Sequence, residues 1–134
     1  MQCPGLEADL NEALANQLVY TYVEGWITGD REKILGTLDP QCVIIESHGP
    51  TYRGMEMVGW WIDSWIAPGN TVNRWDVTSL YVVDEACFFE WVFEYTYMGN
   101  RTEFEGASLA RFRNGKIVFL REYAMTVPRY EWGG

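Results

Sequence analysis

Two acids and one imidazole are the side chains best suited to moving protons. Glu46 and His48 lie two residues apart in Ile44-Ile45-Glu46-Ser47-His48. Strand alternation puts Ile44, Glu46 and His48 on one face of this segment. A carboxylate turned into an apolar interior has its charged form disfavoured, which raises its pKa toward the range useful for proton transfer. His48, the one histidine of the chain, could shuttle protons near neutral pH or orient Glu46 or Glu122. The bland reading keeps Glu46 at a strand end, paired to Arg53 or Arg74, with His48 capping a Gly-Pro turn. The second acid, Glu122, stands in Leu120-Arg121-Glu122-Tyr123 near the end of the chain. Trp61, Trp65, Trp91, Phe93 and Tyr95, with Tyr52 and Leu120, are the expected ligand contacts; such residues are more often core, but in a hollow fold the two roles overlap.

Other chemistries find little footing. Cys3, Cys42 and Cys87 are an odd number without a CxxC or Cys/His cluster, so neither a disulfide framework nor a metal site is expected. There is no phosphate loop, nucleophile elbow or dinucleotide fingerprint, and no cofactor is expected. The net charge is -9, which argues against nucleic acid and anionic membrane as partners. With no leader pattern and no apolar run of the ~18 residues a span requires, a cytoplasmic location is the default expectation. The 134 residues make one domain, with a core over about residues 8–126. Aromatic residues reach 16%, more than a small core usually needs, so some are expected to line a cavity or an interface.

The elements that must position these residues follow from periodicity. Leu10, Leu14, Leu18, Tyr22 and Trp26 form an i,i+4 stripe along a helix from Glu7 to Thr28, ended by Gly29. Asp30 caps a short helix over 31–37, and Asp39-Pro40 stops it. A strand over 42–47 closes at Gly49-Pro50, and a third helix runs from about Gly54 to Ile66 with Val58, Trp61, Ile62 and Trp65 on one face. Four strands follow in a meander, over 72–83, 86–98, 101–113 and 116–126, separated by Asp84-Glu85, Gly99-Asn100 and Asn114-Gly115. Helices first and a sheet afterwards make an α+β domain with helices on one sheet face.

The turns decide the site, because a one-residue slip exchanges the faces of a strand. A two-residue loop at Gly99-Asn100 sets Trp91 opposite Ser108, Phe93 opposite Gly106 and Tyr95 opposite Phe104. At Asn114-Gly115 a two-residue turn puts Arg121 and Tyr123 on the Trp91 face, whereas a turn with a glycine bulge puts Leu120 and Glu122 there. Local sequence leaves both open.

This order of elements, with Glu46-Ser47-His48-Gly49-Pro50-Thr51-Tyr52-Arg53-Gly54 before the third helix and Asn114-Gly115-Lys116-Ile117 opening the last strand, resembles the SnoaL-like branch of the nuclear transport factor two-like superfamily. The resemblance implies a cystatin-like, cone-shaped barrel: a curved antiparallel sheet wrapped round three N-terminal helices, with an apolar pocket. It also implies a homodimer through the outer sheet face, here Val92, Leu109, Phe119 and Tyr123. In limonene epoxide hydrolase-like members a pocket acid on the last strand matches Glu122, which favours the glycine-bulge turn and pairs Phe104, Gly106 and Ser108 with Ala124, Glu122 and Leu120. The Tyr-x-Asn pair of that group falls at Glu46 and His48, and its Arg and second Asp at Trp91 and Phe93. Ketosteroid isomerase-like members place a base near Glu46 and an oxyanion-holding tyrosine on the first helix, for which Tyr22 or Tyr20 qualifies.

Fold does not name a reaction. One expectation is an enzyme without cofactor acting on a small apolar, oxygenated molecule through Glu122, Glu46 and His48, as isomerase, cyclase, dehydratase or hydrolase. The other is a protein that binds such a molecule without turning it over, with a dimeric interaction module as a weaker third. Convergence of acid and base on one point separates the first from the rest.

Overall fold

A computed structural model describes residues 11–134. Helix α1 (Glu12–Thr28) is capped by Asn11, whose side chain accepts from the Leu14 N–H, and it ends at Gly29 with φ 67°. That left-handed conformation suits glycine, and the Gly29 N–H closes onto the last carbonyls. Leu18, Tyr22 and Trp26 of the expected stripe are buried, and Leu10 falls outside the described residues. Helix α2 (Arg31–Leu35) is capped by Asp30, and α3 (Gly54–Ile66) presents Val58 and Ile62 to the core. No described helix is long and apolar enough to cross a membrane.

The strands are β1 (Leu38–Ile45), β2 (Thr51–Arg53), β3 (Thr71–Val83), β4 (Ala86–Tyr97), β5 (Asn100–Arg113) and β6 (Lys116–Ala124). They form one sheet in the order β2-β1-β6-β5-β4-β3. The sheet curves round the helices and stays open between β2 and β3. β1 begins earlier than expected and runs through Asp39-Pro40, while β2 is an additional short strand. All ladders are antiparallel except one: β1 lies parallel to β6, with Ile44 beside Leu120 and Ile45 beside Arg121. A parallel neighbour needs a long connection, and everything from β2 to β5 supplies it.

Both turns differ from expectation in an instructive way. Met98 (φ 51°) and Gly99 (φ 83°) form the hairpin loop, and Asn100 is already paired with Tyr97. The β4–β5 register therefore slides by one pair: Trp91 faces Gly106, Phe93 faces Phe104 and Tyr95 faces Thr102. Asn114 (φ 53°) and Gly115 (φ 73°) are a two-residue turn of the primed kind, not a glycine-bulge turn. The extra residue sits inside β6 at Val118, between the Phe112–Ile117 and Arg111–Phe119 pairs. Displaced up the strand, the bulge still returns Leu120 and Glu122 to the inner face, opposite Ala110 and Ser108, whereas Gly106 pairs with Ala124.

On the outer face Val92, Leu109 and Phe119 are partly buried and Tyr123 is half exposed, with the Arg121 guanidinium over its ring at 4.9 Å. Ion pairs Arg101–Glu94, Arg74–Glu103 and Arg129–Glu105 lace this surface. Exposed pairs of this kind add little stability.

Candidate functional site

The inner face of the sheet and the helices enclose a cavity of about 560 Å³. Eleven aromatic side chains line it, drawn from α1, β2, α3, β3, β4 and β5, together with Glu46, His48 and Glu122. All three expected proton-transfer residues therefore open into one space, as do Tyr52, Trp61, Trp65, Trp91, Phe93 and Tyr95. Leu120 does not line it: the side chain is buried in the core beneath, next to Ile44 of the neighbouring strand.

The bulge at Val118 turns Glu122 inward, and the parallel pairing of its strand with β1 brings it level with Glu46. Extending the Ile44–Leu120 register by two residues sets Glu46 beside Glu122 on the inner face. Glu122 is enclosed by protein, with its remaining accessible surface turned to the cavity. Burial, and then the neighbouring Glu46 carboxylate, push its pKa up to about 8. No hydrogen bond or cation among the described residues offsets this, so at neutral pH Glu122 is chiefly the uncharged acid.

Glu46 lies just past the end of β1, where its N–H donates to the Pro50 carbonyl at 2.9 Å and its own carbonyl accepts from Gly49 at 3.0 Å. This tight turn aims its side chain inward, 22% exposed. Its Oε1 accepts a 2.7 Å hydrogen bond from the Tyr52 hydroxyl. Burial and the two carboxylates hold the Tyr52 phenol well above its usual range, so it remains a donor. Tyr52 stacks on Trp61 at 4.4 Å, and that stack fixes the direction of the hydrogen bond. His48 is 69% exposed at the cavity rim, its Nε2 4.0 Å from Glu46 Oε1. That separation is too long for a hydrogen bond, and His48 lies outside the strand whose alternation was expected to turn it inward.

Deeper in, Trp91 Nε1 donates to Ser108 Oγ at 2.9 Å, both residues being buried. Ser108→Ala should cost about 1–3 kcal/mol, since the indole N–H loses its partner where water cannot replace it. Urea unfolding checks this, and an unchanged midpoint would contradict it. The Tyr22 hydroxyl and the indole nitrogens of Trp65 and Trp75 are buried without hydrogen-bond partners among the described residues. The Trp26 ring lies close enough to the Tyr22 oxygen to favour its ionisation slightly, but the geometry does not close a hydrogen bond. Burial and then Glu122 dominate and raise the Tyr22 pKa well above normal. Tyr20, the other tyrosine weighed for this helix, points to solvent.

Trp26, Trp75, Phe104 and Tyr97 line the cavity without having been singled out as ligand contacts. Trp75 was hidden by two irregularities in β3, one between Val72 and Arg74 and one between Val77 and Ser79, which break simple alternation. The first leaves both Val72 and Trp75 buried at odd spacing, so Trp75 packs edge-on against Phe93 at 5.0 Å. The positions matched to the Arg and second Asp of the epoxide hydrolases, Trp91 and Phe93, form this aromatic wall instead.

Residues 19–120 match the family model described as the SnoaL-like domain. No curated protein matches the chain. Among solved structures, an LEH-like epoxide hydrolase from M. tuberculosis superposes with a TM-score of 0.76 at 14% identity, covering 84% of this chain and 84% of that one. A protein with a ketosteroid isomerase-like fold from Catenulispora acidiphila, in complex with trimethylamine, gives 0.69 at 18%, covering 80% and 84%. A protein of unknown function with a cystatin-like fold from Methylobium petroleophilum gives 0.70 at 19%, covering 92% and 82%. At these identities the likeness is one of fold.

Proposed function

The chain belongs to the SnoaL-like domain family, and on that footing we propose that it is an acid/base enzyme, working without a cofactor on a small, mainly apolar molecule that carries a carbonyl. The observation that carries this reading is the adjacency of Glu46 and Glu122 in one aromatic cavity. Two like acids with unlike surroundings divide the labour. Glu122, held neutral by burial, donates its proton to the substrate oxygen. Glu46, fixed by Tyr52 and partly open to water, accepts a proton from the carbon next to the carbonyl. The C–H electrons become the C=C bond of an enol, and the carbonyl π electrons take the proton from Glu122. Return of a proton at another carbon makes an isomerase; attack of the enol on a second carbonyl makes a cyclase; loss of a β-hydroxyl makes a dehydratase. His48 at the rim, near Glu46, is placed to relay protons to solvent.

The enol step can be tested before the natural substrate is known, by following deuterium exchange next to the carbonyl of small cyclic ketones by NMR. The protein should accelerate exchange, and Glu122→Gln and Glu46→Gln should each reduce the rate by about 100-fold or more. Ketone binding, read from tryptophan quenching, should be largely retained. Because Glu122 must be protonated to act, the rate should fall as pH rises past about 8. Exchange at the buffer rate, or equal rates in the native protein and both variants, would overturn the proposal.

A further inference from the structure

The cavity walls carry a charge pattern that enol chemistry does not require. Two carboxyl groups open into the cavity, and no lysine or arginine among the described residues lines it. Its walls are mostly aromatic side chains, whose ring faces carry negative potential. These features are contiguous: Glu46 holds Tyr52, Tyr52 stacks on Trp61, Trp61 meets Trp26 at 5.0 Å, and Trp26 meets Trp65 at 6.5 Å. Beside Glu46, Glu122 has neither a hydrogen bond nor a cation among the described residues to balance it. Beyond the cavity the whole chain carries a net charge of -9.

We propose that this cavity selects a ligand bearing a tertiary or quaternary ammonium group, its charge seated against the Trp61, Trp26 and Trp65 rings and balanced by the carboxylates of Glu46 and Glu122. An alkylated ammonium suits such walls because its positive charge is spread over methyl groups that pack on ring faces, while it needs no strong acceptor on every side. The rings are fixed by their mutual packing, so little ordering is required when the cation enters. The proposal stands apart from the enol reading, since an amine can be bound whether or not a proton is moved.

Cation entry has a second consequence. The titratable groups that act on Glu122 or share its cavity are Glu46 just past β1, Tyr22 of α1, Tyr52 of β2, and Tyr95 and Tyr97 of β4, with His48 at the rim. None of the carboxyl and phenol groups brings positive charge. A bound ammonium supplies it, favours ionised Glu122 and expels its proton to solvent.

The probes are choline and its uncharged carbon isostere, in which a tert-butyl group replaces the trimethylammonium. Calorimetry on the full chain near neutral pH should show choline binding roughly tenfold or more tighter than the isostere. Repeating the titration in two buffers of different ionisation enthalpy should reveal proton release with choline and none with the isostere. In the double variant Glu46→Gln/Glu122→Gln, choline should lose about tenfold or more while the isostere keeps its affinity, which also shows that the cavity is intact. Equal affinity for both probes, or undiminished choline binding by the double variant, overturns the proposal. Neither result bears on the deuterium-exchange test of the enol reading.

Discussion

Glu122→Gln is expected to flatten the pH dependence of stability between about pH 4.5 and 8. In the unfolded chain the Glu122 carboxyl ionises near its ordinary value of 4.5; in the folded protein it keeps its proton until about 8. Between those limits the unfolded state has released a proton that the folded state still holds. Rising pH therefore draws the equilibrium toward unfolding. This contribution to stability is intact below the unfolded pKa, is lost through the window, and is fully lost above the folded pKa. The size of the shift corresponds to a loss on the order of 5 kcal/mol, at roughly 1.4 kcal/mol per pKa unit. Glutamine keeps the shape and cannot ionise, so the variant should match the native protein at low pH and exceed it above pH 8. Urea midpoints for both proteins across the range measure the difference. Parallel curves would show that Glu122 ionises as freely in the fold as out of it, and would remove the neutral acid from the proposed reaction.

Gly106→Ala should be among the most damaging single-methyl changes in the sheet. A Cβ at this position would stand 2.5 Å from Cη2 and 2.8 Å from Cζ2 of Trp91, and closer still to the backbone carbonyl oxygen of Tyr123. The ring cannot swing clear without giving up its hydrogen bond to Ser108, and the carbonyl cannot move without disturbing β6. Overpacking commonly costs 1–3 kcal/mol, and meeting a hydrogen-bonded ring and a strand carbonyl at once puts the expected loss at about 3 kcal/mol. The same displacement pushes Trp91 into the cavity, so ligand affinity should fall as well. Thermal unfolding and tryptophan quenching read the two effects. A variant as stable as the native protein would mean that Trp91 does not rest on the glycine.

The order of elements was legible because each carries a local signal. Asp30 caps a helix, Gly29 ends one, and paired turn residues separate strands of strong β propensity. The inward direction of Glu122 was not local. It depends on where one extra residue is absorbed, and Asn114-Gly115 looks the same whether the bulge sits in the turn or at Val118. Resemblance to the epoxide hydrolases indicated the right face through the wrong turn and a displaced register, because sidedness depends only on parity. Trp75 illustrates the complementary difficulty: irregularities in β3 break the period on which inside and outside are assigned. His48 was read as a strand residue because alternation carries no mark of where pairing stops, and the turn between Glu46 and Pro50 ends it.

The parallel contact between β1 and β6 also has a bearing on when the protein becomes competent. Hairpins β3–β4, β4–β5 and β5–β6 join neighbours through two-residue loops and can zip early. Leu38 meets Ile117 only when the first strand and the last come together, the contact with the greatest loop-closure cost. Glu46 travels with the first strand and Glu122 with the last. On the ribosome, where residues emerge in order, the helices and most of the meander can settle while the acid pair is still incomplete. No fragment lacking β6 can hold both carboxyls, so the proposed activity should arrive in a single step with the last strand and be absent from every shorter nascent chain.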